Sequence, residues 1–284
     1  MKFASLVFAL LVPLPSSAQE LIVGTLNTES DADTYPYAVS STLRRAGFAD
    51  VWALQEVESL ESLTEYTVAA ASIAGRSNFR RVISESGEIT AQHRKNDHLG
   101  LVYNSSRLRQ VETVELHGLR SAPGTGRLGQ PDWGLRGALF LRLQDRGTGA
   151  EFYVGTVHLK CCGDGVATRA HQARILADCV ERQDVPVIIA GDFNIPVEPG
   201  QTETNSEAFQ TLSSTMTWMA PTNPVPTQCS ERFGSMLDHV FVRPGPNLEP
   251  IDATIAETDE AFCATETEGG PDHRPLLARF ELRE

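Results

Sequence analysis

The sequence predicts an α/β fold whose strands form mixed sheets, and three features lead to this prediction. Short apolar runs rich in β-branched residues recur along the chain, and residues 187–190 (VIIA) are the clearest example. Helical periodicity separates some of these runs, most clearly at residues 168–183, where alanine, leucine and valine repeat on one face. Other runs are separated only by a short turn, as around residues 145–147. Parallel strands need a long crossover between them, whereas antiparallel strands can be joined by a short turn. We therefore expect both parallel and antiparallel strand pairs.

The predicted elements follow from the apolar periodicity and from the residues that stop it. We expect strands at residues 20–26, 51–54, 98–103, 136–143, 151–159, 187–190, 237–242 and 275–282. We expect helices at residues 34–46, 59–74 and 168–183, the first two closed by Gly47 and Gly75. Gly191 and Pro196 predict that one strand stops at residue 190. Residues 121–134 and 199–205 are predicted loops.

The first 18 residues have the pattern of a secretory signal peptide. A positive start, an apolar run at residues 3–14 and small residues at 16–18 predict cleavage before Gln19. Cleavage leaves 284 − 18 = 266 residues, and we expect residues 19–284 to form a single domain. We expect a secreted or periplasmic monomer without a stable membrane anchor, because no later stretch is long and apolar enough to span a bilayer.

The charge of the chain limits its mode of action. A formal net charge of −13 argues against a protein that coats nucleic acid through bulk positive charge. The same charge is compatible with an enzyme that binds a phosphodiester through a metal ion and a few arginines. Five cysteines follow the signal peptide, and export makes disulfides plausible, with one thiol left over.

Polar side chains that suit metal or phosphate chemistry lie at the ends of most predicted strands. Each alone is commonly a turn former, but several of them across the chain suggest that they converge on one site. Asp192 and Asn194, two residues apart at the mouth of a buried strand, offer oxygens to a hard metal ion, a phosphate or a water. The full set is Asn27, Glu56, His158, Asp192, Asn194, Asp238, Asp272 and His273.

Six short motifs resemble those of the endonuclease/exonuclease/phosphatase superfamily, and they occur in the family's order over nearly all of the mature chain. The resemblance implies the deoxyribonuclease-I-like fold, a four-layer α/β sandwich of two mixed β-sheets flanked by helices. One departure is Pro271, where the family usually has serine, so a hydroxyl and a backbone N–H beside Asp272 are lost. The motifs are TLN at 25–27, QE at 55–56, TVHL at 156–159, GDFN at 191–194, LDHVFV at 237–242 and DHRPL at 272–276.

The resemblance also implies a metal centre. Glu56 is the main expected ligand of Mg²⁺, with Asn27 and Asp272 nearby, and Mn²⁺ or Ca²⁺ are alternatives. Asp192 and Asn194 would position the attacking water and the scissile phosphate. Magnesium suits such a site because it takes only a few carboxylates and keeps several waters.

The same resemblance implies roles for the histidines. His273, held by Asp238, is the expected general base, because a carboxylate partner fixes the tautomer of the ring and raises its basicity. His158 would donate to the phosphate as negative charge builds. Asp97 would orient His158, although the family commonly has glutamate at this position. Arg136 would add a phosphate contact, as an arginine often does in this family.

The expected activity is metal-assisted hydrolysis of a phosphodiester, with DNA or RNA as the first candidate substrate. A phospholipid or small phosphodiester or phosphomonoester is the alternative, as in the sphingomyelinases, and a catalytically inactive binding module is a third reading. The inositol phosphatases carry Trp-Cys-Asp-Arg where this chain has Met-Leu-Asp-His at 236–239, which argues against them. Residues 118–134 contain one aromatic, Trp133, so lipid targeting has weak support.

The implied pairing of Asp238 with His273 predicts one disulfide. Cys229 and Cys263 precede the two segments that carry this pair, so these cysteines should lie close together. A second bridge is expected between Cys179 and either Cys161 or Cys162, since a helix that packs back on its sheet brings its end near the preceding loop. A bond between the vicinal cysteines themselves ranks last, because its eight-membered ring is strained.

Overall fold

The computed structural model describes residues 18–29, 34–75, 78–87, 96–116, 137–230, 234–264 and 269–284. Residues 1–17 of the predicted signal peptide lie outside these ranges. The predicted loop at 121–134 and Arg136 also lie outside them. No helix within the described ranges is long and apolar enough to cross a membrane.

Two six-stranded mixed sheets form the centre of the molecule. Sheet I has the strand order β11-β12-β1-β2-β4-β3, and sheet II has the order β5-β6-β7-β8-β10-β9. The pairs β1–β2 and β7–β8 are parallel, and the other pairs are antiparallel. The strands are β1 (Gln19–Asn27), β2 (Val51–Val57), β3 (Phe79–Ile83), β4 (His98–Asn104), β5 (Leu108–Glu115), β6 (Ala138–Asp145), β7 (Glu151–His158), β8 (Val187–Val197), β9 (Thr217–Trp218), β10 (Met236–Arg243), β11 (Leu248–Ile255) and β12 (Leu276–Leu282).

Helices cover the outer face of each sheet. α1 and α2 bury their apolar sides against Trp52 and Leu54 of sheet I. α3 and α4 pack together and against sheet II. The predicted four-layer α/β sandwich is therefore confirmed. The helices are α1 (Pro36–Ala46), α2 (Leu60–Ile73), α3 (Val166–Glu181), α4 (Glu207–Thr215) and α5 (Glu260–Ala264).

The inner faces of the two sheets share one core, and a polar contact crosses it. Apolar residues of both sheets, such as Val23 and Ile189, belong to the same buried cluster. Gln55 Nε2 donates to Thr156 Oγ1 across the interface at 2.8 Å. Both side chains are fully buried, so this bond fixes how the ends of β2 and β7 face each other.

The observed elements differ from the expected ones in two ways. The strand expected to stop at residue 190 continues to Val197, because β10 pairs with it and a register shift between Met236 and Asp238 absorbs the extra residues. Pro196 is exposed on this irregular stretch, where a strand tolerates proline. β3 and β5 were not predicted, since their exposed middles carry charged residues in place of an apolar alternation. The strands β9 and β11 and the helices α4 and α5 were not predicted either. The predicted loop at 199–205 is confirmed.

Candidate active site

One end of the sandwich gathers the predicted strand-end residues. β1, β2 and β7 end there, and the register places His158 of β7 and Asp238 of β10 on either side of Asp192 of β8. Gly191 allows the close approach of β7 and β8, because a Cβ atom there would lie 2.2 Å from the carbonyl oxygen of Val157. The residues brought together are Asn27, Glu56, Asp97, His158, Asp192, Asn194, Asp238, Asp272 and His273.

A short hydrogen bond joins His273 to Asp238 in the site. Nδ1 of the ring lies 2.7 Å from Oδ2 of Asp238, and both side chains are buried. A carboxylate only accepts, so the proton is on Nδ1 and Nε2 carries the free lone pair of the neutral ring. Burial lowers the pKa of His273, but the charges of Asp238, Asp272 and Asp192 outweigh it and raise this pKa well above its ordinary value.

The second histidine lies among three carboxylates. Nε2 of His158 is 3.3 Å from Oδ2 of Asp192. Its Nδ1 is 3.7 Å from Oε1 of Glu56 and 3.8 Å from Oδ1 of Asp97. The last distance is longer than a hydrogen bond, so Asp97 lies beside His158 without a direct hydrogen bond to it. The orienting role of Asp97 stays a prediction.

Glu56 is held in place by Asn27. The amide nitrogen of Asn27 donates to Oε1 of Glu56 at 2.9 Å and lies 3.3 Å from Oδ2 of Asp192. Oδ1 of Asn27 accepts the backbone N–H of Glu29 at 3.0 Å, which decides the orientation of the amide. Asn27 therefore orients Glu56 in this arrangement, and its expected role as a metal ligand stays a prediction.

The oxygen atoms around Glu56 suit a hard divalent cation. Within the described ranges, no three or more His, Cys, Asp and Glu side chains are grouped for metal binding. Magnesium does not need such a group, because it is bound through one or two carboxylates and keeps several waters. The side chain of Glu56 is 28% exposed and fixed by Asn27, so it can present a carboxylate to such an ion. Glu29 links Asn27 and Glu56 to Asp272, because its carboxylate accepts the backbone N–H of Asp272 at 3.1 Å.

Backbone strain is concentrated at the same end of the molecule. Among the described residues other than glycine, four have a positive φ: Glu29, Glu56, Cys162 and Asn194, with φ of 49°, 53°, 70° and 51°. This left-handed region is uncommon for such residues and costs on the order of 1 kcal/mol or more. At Asn194 the conformation lets the backbone N–H bind Oδ1 of Asp192 at 2.8 Å, while Nδ2 reaches the Leu159 carbonyl at 3.2 Å.

Comparisons with known proteins agree with this geometry. The sequence pattern of the Endonuclease/Exonuclease/phosphatase family matches residues 24–259, which is most of the chain. The chain belongs to this family. Members of the family are hydrolases of phosphoric esters. No curated protein matches the chain in sequence.

Solved structures of the endonuclease/exonuclease/phosphatase fold are similar over nearly the whole chain. The endonuclease/exonuclease/phosphatase from Bacteroides vulgatus is 17% identical, with a TM-score of 0.70 over 93% of this chain and 100% of its own. A mannosyl-6-phosphatase from Bacteroides thetaiotaomicron is 17% identical, with a TM-score of 0.63 over 92% and 99%. D. rerio TDP2, solved with a single-strand DNA product, is 16% identical, with a TM-score of 0.59 over 92% and 98%. At these identities the likeness shows the fold alone.

Asp272 has support that the sequence did not reveal. Pro271 replaces the serine usual in the family, but Gln228 Nε2 donates to Oδ2 of Asp272 at 2.7 Å. The backbone N–H of Asp272 binds Glu29, as described above. Neither Gln228 nor Glu29 was among the expected site residues, since a polar residue in a loop gives no sequence signal of its own.

The loop after β7 is held by α3. The backbone N–H of Lys160 donates to Oε1 of Gln172 at 3.0 Å. Arg169 donates to the carbonyl oxygens of Lys160 and Cys162 at 2.7 and 2.8 Å. Because Asn194 binds Leu159 in the same loop, these two α3 residues help to place a residue of the family's GDFN motif. They too were missed from the sequence.

The cysteines form one of the two expected bridges. Cys229 and Cys263 are bonded, with a Cα–Cα distance of 5.2 Å. The second expected bridge is absent, and Cys179 contacts Gln183 of its own helix region at 3.8 Å. Cys179 lies 13 residues after the start of α3, or about 20 Å along the helix, whereas Cys161 and Cys162 precede that start. A disulfide requires Cα atoms within about 7 Å.

Proposed function

We propose that this protein is a metal-dependent phosphodiesterase that cleaves DNA or RNA by in-line attack of water. The observation that carries the proposal is the 2.7 Å contact between His273 and Asp238, at the end of the sandwich where His158 and Asp192 also meet. Hydrolysis of a phosphodiester needs a base for the water and donors for the developing charge, and the two histidines supply both.

The residues of this chain take distinct parts in the proposed reaction. His273 accepts the proton of the attacking water at Nε2, because its Nδ1–H is committed to Asp238. Asp192 and Asn194 hold the water and the phosphate, and His158 donates to a nonbridging oxygen. Glu56 and Asp272 would hold a magnesium ion, which when bound neutralises charge on the phosphate and on the leaving oxygen.

Nucleic acid is the preferred substrate class because of a shared fold, and the net charge of the chain does not exclude it. The fold of the chain is shared with D. rerio TDP2, which was solved with a single-strand DNA product. A net charge of −13 disfavours substrates bound by bulk attraction but permits one bound through a metal ion. A mannosyl-6-phosphatase has the same fold, so a phosphomonoester is the substrate class that the test must separate.

The decisive experiment compares substrates on one preparation. We expect the purified mature chain with Mg²⁺ to cleave single-stranded DNA or RNA, and bis(p-nitrophenyl) phosphate, faster than p-nitrophenyl phosphate, mannose 6-phosphate or sphingomyelin. His273→Ala should remove this activity, and His171→Ala, a histidine of α3, should keep it. Preferential release of phosphate from the monoesters, or cleavage of sphingomyelin alone, would overturn the nuclease proposal.

Export of the protein is part of the same proposal. The signal-peptide pattern of residues 1–18 and the Cys229–Cys263 bond both support an oxidising compartment outside the cytoplasm. The N-terminal sequence of protein recovered from the periplasm or the medium should start at Gln19. Retention of the intact chain in the cytoplasm would contradict this placement.

A further inference from the structure

A polar cavity lies at the end of the sandwich opposite the active site. It has a volume of about 440 Å³ and is bordered by the start of β3, the end of β4 and the start of β5. β4 runs from His98, opposite Val57 near the active site, to Asn104, opposite Phe79 beside the cavity. Seven residues of strand span about 20 Å or more, so the cavity is separate from the catalytic residues.

Three arginines line this cavity, and among the residues that the structure describes no carboxylate lines it. The guanidinium group of Arg109 donates to the neutral Oε1 of Gln144 at 2.7 Å. Arg80 and Arg146 form no ion pair with a carboxylate in the part of the chain that the structure describes. Three positive charges therefore meet on a protein whose net charge is −13.

Two carboxylates beside the cavity residues, Asp145 before Arg146 and Asp50 against Asn104, are already used by a fourth arginine. Arg107 binds Asp50 and Asp145 at 2.7 Å each, and all three side chains are largely buried. These two acids cannot compensate the cavity arginines without giving up a buried pair, which is costly. The excess positive charge of the cavity is thus available to an incoming anion.

The floor of the cavity offers both a hydrogen-bonding group and apolar surface. The hydroxyl of Tyr103 donates to Oε1 of Gln110 at 2.9 Å. Arg80 and Arg146 line the same cavity as Tyr103, and their charges oppose the effect of burial, which raises the pKa of Tyr103. Phe79 and Leu108 supply apolar lining beside these polar groups.

We propose that this cavity is a binding site for a small phosphorylated molecule of about nucleotide size. Arginine binds phosphate oxygens in bidentate fashion, and three guanidinium groups match the charge of a diphosphate. The volume lies within the range of small-ligand sites, and the apolar lining can cover the uncharged part of the ligand. The proposal does not depend on the proposed nuclease activity, because none of these residues belongs to the catalytic end.

Calorimetric titration of the full mature chain with pyrophosphate and with ADP, in EDTA and 150 mM salt, tests the proposal. We expect one saturable site, with affinity lowered about tenfold or more for each of Arg80→Gln and Arg146→Gln, as for charged hydrogen bonds. Arg182→Gln, an exposed arginine of α3's C-terminal end, is the matched control and should bind normally. Phosphodiester hydrolysis should be unchanged in all three variants.

Two results would overturn the site. One is the absence of saturable binding by either ligand, or binding that survives in the double variant Arg80→Gln/Arg146→Gln. The other is tighter, arginine-dependent binding of a twelve-nucleotide single strand than of ADP. That second result would make the cavity part of a nucleic-acid surface.

Discussion

Gln228 donates from Nε2 to Oδ2 of Asp272 at 2.7 Å, in a contact between residues 44 positions apart. The neighbouring backbone supports this contact. The Cys229 N–H donates to the Asp272 carbonyl at 2.8 Å, and the backbones of Gln228 and His273 pair in an isolated antiparallel β-bridge. The Cys229–Cys263 disulfide restrains the segment that carries Gln228 beside the site. Gln228 thus supplies the support that Pro271 does not.

The first prediction concerns this contact. Gln228→Leu should raise the magnesium concentration needed for half-maximal activity by about tenfold or more, since outer partners of ligands tune metal affinity to this extent. The maximal rate should fall less. Activity measured against magnesium concentration checks this, with Gln201→Leu in the exposed 199–205 loop as the control. An unchanged magnesium curve would show that Asp272 needs no support from Gln228.

The second prediction concerns pH. Because the pKa of His273 is raised well above its ordinary value, activity should rise as the base loses its proton, that is, as pH increases through that raised pKa. Asp238→Asn removes the main charge that raises it, so the inflection should move to lower pH while the rate falls by roughly a hundredfold. The pH profile of kcat/KM measures both effects. Asp184→Asn, on an exposed aspartate, should leave the profile in place.

The third prediction concerns the metal ion and the two histidines. EDTA should abolish hydrolysis and Mg²⁺ should restore it. Glu56→Gln, His158→Ala and His273→Ala should each lower the rate by on the order of a hundredfold or more, with the fold retained. Glu203→Gln, on the exposed loop, is the control for the charge change. Full activity in excess EDTA would contradict the metal-dependent mechanism.

The sequence indicated which strand-end residues lie together better than it indicated the contacts around them, for a physical reason. Buried strands with polar residues at their ends give a strong local signal, and the carboxyl ends of parallel strands such as β1 and β2 meet at one edge. Gln228 and Glu29 act through contacts across 44 and 243 residues, which no local pattern shows.

The missed elements have a similar explanation. β5 is paired along one edge of sheet II, yet most of its residues are exposed, so its sequence lacks the apolar alternation of a core strand. The extension of β8 past residue 190 depends on a register shift against β10, and such a shift is set by tertiary pairing. The prediction of a second disulfide was wrong because α3 is long enough to carry Cys179 away from Cys161 and Cys162.

The fourth prediction concerns the cysteines. Peptide mapping of unreduced protein should show Cys229 linked to Cys263 and Cys179 as a thiol. Burial raises the pKa of Cys179, so its alkylation at pH 8 should be slower than that of the exposed Cys162. A peptide that links Cys179 to Cys162 would contradict the structure and restore the pairing expected from sequence.

The fifth prediction concerns His239, a fully buried ring among Phe193, Trp218 and Phe241. Its Nε2–H donates to the carbonyl oxygen of Ile195 at 2.8 Å. Burial lowers the pKa of His239 from 6.5 to about 4, and the bond to Ile195 opposes this only in part. The ring therefore stays neutral in the folded protein at a pH where the unfolded chain binds a proton.

The sign of the effect on stability follows from this difference. Above pH 6.5 neither state is protonated, and as the pH falls from 6.5 to about 4 only the unfolded state gains a proton. The free energy of unfolding should fall over this range by about 3 kcal/mol from this residue, at 1.36 kcal/mol per pKa unit. In His239→Gln, whose side chain does not titrate, this part of the acid destabilisation should disappear. Urea unfolding of both proteins at several pH values measures it, with His171→Gln as the control. Parallel pH curves for the wild type and His239→Gln would mean that His239 is protonated in the folded protein.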